Sequence, residues 1–281
     1  MTADDEQVGL VTGAGSDIGA ATALAFAEAG WTVYATDVET PLPERVSERC
    51  RCLELDVTSD EQCQAVVDQI TERTGGIDCL VNNAGYAAPG PTEDVATDDV
   101  RAMFDVLAAG PHRLAKAVLP EMRHSGGRIV NVSSILAKCA YSGLGAYCAG
   151  KAALSSMTDA LRMELADNPA VHVALVEPAW GETNFAEHAR SKLPDERTPE
   201  YDATYEALED GWLLECEPLA EPPEAVAEHV LEAATDPEPR ARYPVGPSGR
   251  VAQLTKWLPP RLADPIQLWF GRVSTQLRGW V

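Results

Sequence analysis

Six short runs in this chain read as wholly apolar strands, and the sequence between them takes helical spacing. They are Val8–Thr12, Thr32–Thr36, Cys52–Leu55, Asp78–Val81, Arg128–Ser133 and Val171–Val176. Strands that are apolar on both faces, alternating with helices, predict a parallel sheet covered on either side. The fold class is therefore α/β: a doubly wound, mostly parallel sheet in a single domain with a C-terminal extension.

The helices are predicted from their caps and spacing. AATALAFAEAG follows the first strand and stops at Gly30, and Ser59 or Asp60 opens a helix from Asp60 to Arg73. Thr97 is expected to cap a long helix from Asp98 to Arg123, which Gly110-Pro111 should bend unless close packing absorbs the lost backbone bond. Ala146–Ala166 is the next helix, Pro222-Pro223 starts another over Glu224–Ala234, and Ala241–Val245 is a final strand. The domain is expected to span 1–249. Within it 182–221 is long, acidic and irregular, with helical spacing over Glu200–Glu215, and is read as a substrate lid. The extension, 250–281, holds Trp257, Trp269, Phe270 and Trp280 and is expected to pack on the core or on a partner subunit.

Gly13, Gly15 and Gly19 lie between the first strand and first helix. In that setting glycines let a backbone approach a pyrophosphate at a helix N-terminus. Asp37 ends the second strand, 18 residues beyond Gly19, where a carboxylate accepts hydrogen bonds from an adenosine ribose. A 2'-phosphate there would meet its charge, so the cofactor is predicted to be NAD rather than NADP. Elsewhere Tyr147 and Lys151 stand four apart and share one helix face, with Ser134 at the end of the preceding strand. A tyrosine hydroxyl with a pKa of about 10 is a poor base at neutral pH, and an ammonium one turn away is expected to lower it. Ser134 is placed to hold a substrate oxygen. The three make a proton-transfer site for interconverting an alcohol and a carbonyl. A Tyr/Lys pair alone is more often surface decoration; the glycine turn and Asp37 give it its meaning.

Other chemistries find no support. The net charge of -22, from 44 acidic against 22 basic residues, argues against a general nucleic-acid surface and an anionic membrane, although adaptation to solubility or salt explains it equally well. His112, His124, His172, His188 and His229 lack metal-ligand spacing, so no metal is expected. Cys148 has no evident base, and there is no GxSxG elbow. The seven cysteines are odd in number and form no CxxC, which suits buried thiols in a reducing compartment. Residues 1–7 do not read as a signal peptide, and no apolar run approaches the roughly 18 residues that span a bilayer, so a cytoplasmic location is expected.

Over Val8–Val245 the chain resembles the short-chain dehydrogenase/reductase family, with its Rossmann fold. TGAGSDIG, Thr12 to Gly19 and so including Asp17 and Ile18, looks like the family's cofactor turn. Asp56-Val57 matches the position that contacts adenine, and Asn82-Asn83-Ala84-Gly85 the segment that steadies the sheet beside the cofactor. Ser134, Tyr147 and Lys151 fall on the catalytic positions, and Glu177-Pro178-Ala179 with Thr183 resembles the segment that touches the nicotinamide. The resemblance implies that Tyr147 is the general acid/base, that Lys151 lowers its pKa and binds the nicotinamide ribose, and that Ser134 orients the substrate oxygen. It also implies a homodimer or homotetramer paired through the long helices. The VEP strand end, the YCAGKAAL form and the long C-terminal part look most like the hydroxysteroid and retinol dehydrogenase branch, whose substrates are bulky, apolar alcohols.

Three positions depart from the family pattern. Asp17 stands where a second glycine is usual, and its charge is unfavourable beside a pyrophosphate unless it turns away and caps the helix. Leu107 replaces an asparagine that holds a relay water, and Ala179 replaces a glycine. These departures also leave open a cofactor-binding or scaffold protein of weakened turnover.

Overall fold

The computed structural model describes residues 6–181, 184–210, 214, 220–246, 259, 261, 262 and 265. Thr183 and the extension's Trp257, Trp269, Phe270 and Trp280 lie outside them, as do Trp212 and Leu213 of the expected lid.

The central sheet has seven parallel strands: β1 (Val8–Thr12), β2 (Thr32–Asp37), β3 (Arg51–Glu54), β4 (Cys79–Asn82), β5 (Gly127–Val132), β6 (Val171–Glu177) and, late in the chain, β9 (Arg242–Pro244). Their order is β3-β2-β1-β4-β5-β6-β9. Chain order reverses between β1 and β4, and ligands of open parallel sheets bind at such a switch point, beyond the strands' carboxyl ends. Trp180–Gly181 (β7) and Ala220–Glu221 (β8) form a separate parallel pair.

Successive strand side chains point to opposite faces, and each face has its own core. Val11, Val33, Ala35, Val81 and Val130 pack under α1 (Asp17–Glu28) and Pro223–Thr235, here α9. Leu10, Tyr34, Leu80, Ile129 and Val173 pack under α3 (Asp60–Thr74) and α5 (Gly110–Ser125). The sheet is thus buried on both sides, as the apolar strands require. A short helix, α2 (Glu44–Ser47), lies between β2 and β3.

Several boundaries are corrected. β3 begins at Arg51, one residue early, because its register is set by pairing with Tyr34. Ser59 does cap α3, its side chain accepting from Gln62 N–H. Thr97 does not cap α4 (Thr97–Phe104): it is already the first helical residue, and Ala96 before it supplies no side-chain acceptor. The long helix is not sharply broken at Gly110-Pro111. Between α4 and α5 the chain makes a π-helical turn, Asp105–Ala109, in which Gly110 N–H donates to Asp105. Pro111 has no N–H to give, and the wider turn takes up that deficit. Gly110 also needs to be small, since a Cβ there would stand 2.9 Å from Val57 Cγ2.

The remaining helices are α6 (Gly145–Glu164), α7 (Phe185–Arg190) and α8 (Asp202–Glu209), the last preceded by a 3₁₀ turn at Pro199–Tyr201. The helical spacing expected over Glu200–Glu215 is therefore realised as α8, with residues 211–213 and 215 outside the described set. Long-range hydrogen bonds tie this segment to the loop after β4. Asp94 accepts from Thr198 N–H at 3.1 Å, Thr198 Oγ1 at 2.6 Å and Tyr205 Oη at 2.6 Å, and Glu93 accepts from Tyr201 Oη at 2.8 Å.

Candidate active site

The turn after β1 is built for a close backbone approach. Gly13 has φ 68°, and a Cβ on it would lie 2.8 Å from Ala84 Cα. A Cβ on Gly19 would fall 1.9 Å from the Gly13 carbonyl oxygen, so α1 can start where it does only with glycine at 19. Ser16 caps α1 by accepting from Gly19 N–H at 3.2 Å. Gly15 N–H donates to Asp37 Oδ2 at 2.8 Å, which brings the strand-end carboxylate to the glycine turn. From the neighbouring strand end Asn83 Nδ2 donates to the carbonyls of Thr12 (3.0 Å) and Gly13 (3.1 Å). Thr12 Oγ1 in turn accepts from the amides of Asn83 (3.0 Å) and Ala84 (3.1 Å). The crevice between β1 and β4 is thereby stapled from both sides. A cradle whose glycines leave no room for a Cβ, with a carboxylate at its rim, fits a dinucleotide.

Asp56 follows β3, and its Oδ1 accepts from Thr58 N–H at 2.9 Å and Thr58 Oγ1 at 2.7 Å. Val57 packs into the core beside Gly110. The carbonyl of buried Pro178 accepts from Ile135 N–H at 2.9 Å, which joins the ends of β5 and β6; Ala179 follows it, half-buried. Ile18 is half-buried in the first turn of α1 and packs on the α1 core.

Asp17 does not cap the helix, a role Ser16 already fills. Its Oδ2 accepts from Asn184 N–H at 2.7 Å and its Oδ1 from Asn184 Nδ2 at 3.4 Å. Its place in the first turn of α1 also suits the positive end of the helix dipole.

Ser134, Tyr147 and Lys151 meet at the carboxyl end of β5, all buried. Ser134 leaves β5 in extended conformation and caps a 3₁₀ turn (Ile135–Ala137), accepting from Leu136 N–H at 3.1 Å. Tyr147 and Lys151 rise from α6, with the ammonium 5.9 Å from the phenol ring centre. Lys151 Nζ donates to the Val132 carbonyl at 2.8 Å. Burial pulls its pKa down to about 8, which leaves it mostly charged at neutral pH. The phenol does not behave as the helix spacing suggested. Burial raises the Tyr147 pKa well above its ordinary value, neighbouring Cys148 adds to this, and a hydrogen bond with Ser134 acts the other way. Desolvation, not the ammonium, governs it here.

The surroundings of Tyr147 are apolar: Leu107, Leu144, Ala186 and Leu208 belong to the same buried cluster. Phe185 lies over it, the two ring centres 5.4 Å apart and tilted by 55°. Leu107, in the π turn, is fully buried between positions 85 and 150; a Cβ on Gly85 would be 2.9 Å from its Cδ2, and one on Gly150 2.8 Å from its Cδ1. Gly85 thus keeps clear the space beside Lys151 Nζ.

Beneath the site, buried polar groups form two relays. Asn82 Nδ2 donates to Asn131 Oδ1 and Asn131 Nδ2 to Thr158 Oγ1, both at 2.8 Å. Ser133 Oγ bonds Ser155 Oγ at 2.8 Å. Glu177, fully buried at the end of β6, is met at 2.5 Å by both Lys138 Nζ and Arg242 Nη1, and Arg242 also pairs with Asp159. The pairings of Asn131, Ser133 and Glu177 were not foreseen from the sequence; for these three, a polar residue within an apolar strand was the available signal. Among the described residues no group of three or more His, Cys, Asp or Glu is placed to hold a metal, and no helix is long and apolar enough to cross a membrane.

A parallel sheet with a glycine cradle at its switch point, and a Ser/Tyr/Lys group at the adjoining strand end, defines a class of nucleotide-dependent oxidoreductases. Sequence comparison gives the family: its model, described as short chain dehydrogenase, matches residues 7–194, and the chain belongs to that family. Retinol dehydrogenase 5 of Mus musculus is 32% identical over 287 residues, covering 92% of this chain and 87% of its own length. The crystal structure of a short-chain dehydrogenase from Streptomyces avermitilis is 29% identical, covers both chains completely and superposes with a TM-score of 0.77. A short-chain dehydrogenase/reductase from Burkholderia phymatum, solved in complex with NAD, is 25% identical with a TM-score of 0.72, over 86% of this chain and 90% of that one.

Proposed function

We propose that this oxidoreductase uses NAD to interconvert a secondary alcohol and its ketone on a bulky, mainly apolar substrate such as a steroid or retinoid. The observation that carries the reading is the convergence of Ser134, Tyr147 and Lys151 in an apolar shell beside the glycine cradle. Gly13, Gly15, Ile18 and Gly19 would hold the pyrophosphate, Asp37 the adenosine ribose, and Asp56 and Val57 the adenine. Asn83, Ala84 and Gly85 would line the cofactor's inner face, with Pro178, Ala179 and Thr183 at the nicotinamide. Bound there, the cofactor supplies the hydride acceptor or donor. The chain's own part is to hold the substrate oxygen at Ser134 and to move its proton at Tyr147 Oη, with the Lys151 ammonium beside the ring and available to the ribose.

The preference for NAD rests on Asp37, since a 2'-phosphate would sit against its carboxylate. An NAD complex of a related enzyme agrees with it. The apolar substrate rests on the residues around Tyr147, and a retinol dehydrogenase among the relatives points the same way. The six described cysteines are all free, in keeping with a cytoplasmic protein, and pairing through the long helical stretches Asp98–Arg123 and Ala146–Ala166 would give the homodimer or homotetramer common in the family. Segment 182–221 is read as the lid of a domain spanning 1–249, with 250–281 packed on the core or on a second subunit.

The test is NADH formation over hydroxysteroids, retinol and aliphatic secondary alcohols, by the parent and by Tyr147→Phe. The variant should bind NAD normally and lose roughly a hundred- to ten-thousandfold in kcat. Activity within a few-fold of the parent would move the proton chemistry to another residue, and equal or tighter NADP binding by calorimetry would remove the cofactor assignment.

A further inference from the structure

Asp17 is not the cap of the helix it begins. Ser16 caps α1, and the Asp17 carboxylate reaches instead across 167 positions of sequence to the backbone and side chain of Asn184. Asn184 is the residue immediately before α7, and Phe185, the first residue of α7, is the one whose ring lies over Tyr147. Farther along α7, Ala186 and Ala189 are buried in the cluster that also contains Tyr147 and Leu107. One carboxylate thus connects the glycine turn to the helix that roofs the phenol.

We propose that Asp17 is a positioning residue: by holding Asn184 it fixes Phe185 over Tyr147, and so couples the glycine turn to the size of the substrate pocket. This deepens the alcohol dehydrogenase reading and rests on it. The chemistry favours a carboxylate at this place. Its two oxygens can accept both Asn184 donors at once, and a hydrogen bond to a charged acceptor is stronger than one between neutral groups. A glycine at 17 would remove that charge and with it both bonds to Asn184 at the start of α7. Phe185 would then cease to bound the pocket at a fixed height.

The experiment compares the parent with Asp17→Gly, Asp17→Asn, Phe185→Ala and the Asp17→Gly/Phe185→Ala double variant. It measures KM and kcat over secondary alcohols of rising size at saturating NAD, together with amide hydrogen exchange of residues 185–190 in the protein alone. Asp17→Gly should speed exchange in α7 by about tenfold, as expected for release of a segment held by a hydrogen bond to a charged group. It should raise KM for the bulky alcohols about five- to tenfold with a smaller change in kcat, and leave NAD affinity equal or improved. Asp17→Asn, which keeps one acceptor for the Asn184 amide, should recover most of both effects. Phe185→Ala should show the same KM pattern, and the double variant should be no worse than Phe185→Ala alone, because residues acting in series are not additive. Unchanged exchange in α7, or losses from the two single variants that multiply, would overturn the proposal. If the parent oxidised no alcohol with either cofactor, the function above would fall, and the exchange measurement alone would decide whether Asp17 holds α7.

Discussion

Lys151 illustrates how far this site is built at the expense of stability. Its side chain is buried, and burial lowers its pKa from 10.5 to about 8. In the unfolded chain the amine binds its proton up to the higher value, in the folded chain only up to the lower. Between about pH 8 and 10.5 the unfolded state therefore holds more protons, and stability contributed by this group rises with pH through that window. At pH 7 both states are charged, and the full penalty of roughly 3 kcal/mol, from a shift of about 2.5 units at 1.36 kcal/mol each, opposes folding. Lys151→Met keeps the length and removes the charge. It also removes the bond from Nζ to the Val132 carbonyl, worth about 1 to 2 kcal/mol. The variant should therefore be more stable than the parent at pH 7 by about 1 to 2 kcal/mol, or a few degrees in Tm for a chain of this size, while losing activity. Thermal unfolding of both proteins from pH 7 to 10, taken as a difference, cancels the thiols Cys50, Cys63 and Cys139, whose burial raises them to about 11. The gain should shrink towards pH 10. A variant less stable than the parent at pH 7, or an advantage that did not fall with pH, would show that the ammonium is not desolvated and would refute the reasoning.

Glu177→Ala should destabilise the fold by about 3 kcal/mol in urea unfolding, because it strands the buried Lys138 ammonium and leaves Arg242 with Asp159 alone; a loss under about 1 kcal/mol would mean that water reaches Lys138. Gly19→Ala should weaken NAD binding by more than about tenfold by calorimetry, since its methyl would have to displace the Gly13 carbonyl; unaltered affinity would show that the turn opens without harm. The Asp94 carboxyl is held below its ordinary 3.8, chiefly by the Thr198 hydroxyl and then by Tyr205. Its tether of the segment before α8 is present above that value and lost as pH falls below it, so pepsin should begin to cut 198–205 only in strong acid and Asp94→Asn should shift the onset upward. Cleavage that ignored the substitution would assign the anchoring to packing instead.

The strands, the helices and their order were legible because a sheet buried on both faces leaves a mark in composition, and Ser59 and Gly30 punctuate helices by local chemistry. The glycine turn, Asp37 and the Ser134/Tyr147/Lys151 group were legible for the same reason: each depends on spacing within one strand-turn-helix unit. Pairings made across the chain left no such mark. Asp17 with Asn184, Asp94 with Tyr205 and Glu177 with Arg242 join residues far apart in sequence, brought together only by the path of the chain. Spacing also misjudged Tyr147. The i,i+4 lysine is where helix geometry puts it, but the pKa is set by burial in a cluster assembled from the π turn, α7 and α8, none of which α6 specifies.

Leu107 separates what the backbone requires from what a side chain adds. The π turn that carries it does not depend on an asparagine at 107. It answers Pro111, whose missing N–H would have served the carbonyl of residue 107 in a regular helix, and the turn instead closes from Gly110 N–H to Asp105. The backbone can therefore keep this form with a hydrocarbon side chain at 107. Leu107 fills the space between Gly85 and Gly150, and its full burial is worth about 1.5–3 kcal/mol. A polar group there would forgo that packing and need partners of its own among apolar neighbours. On this side of Lys151 the chain therefore presents hydrocarbon. Lys151 Nζ itself is taken up by the Val132 carbonyl of the neighbouring strand.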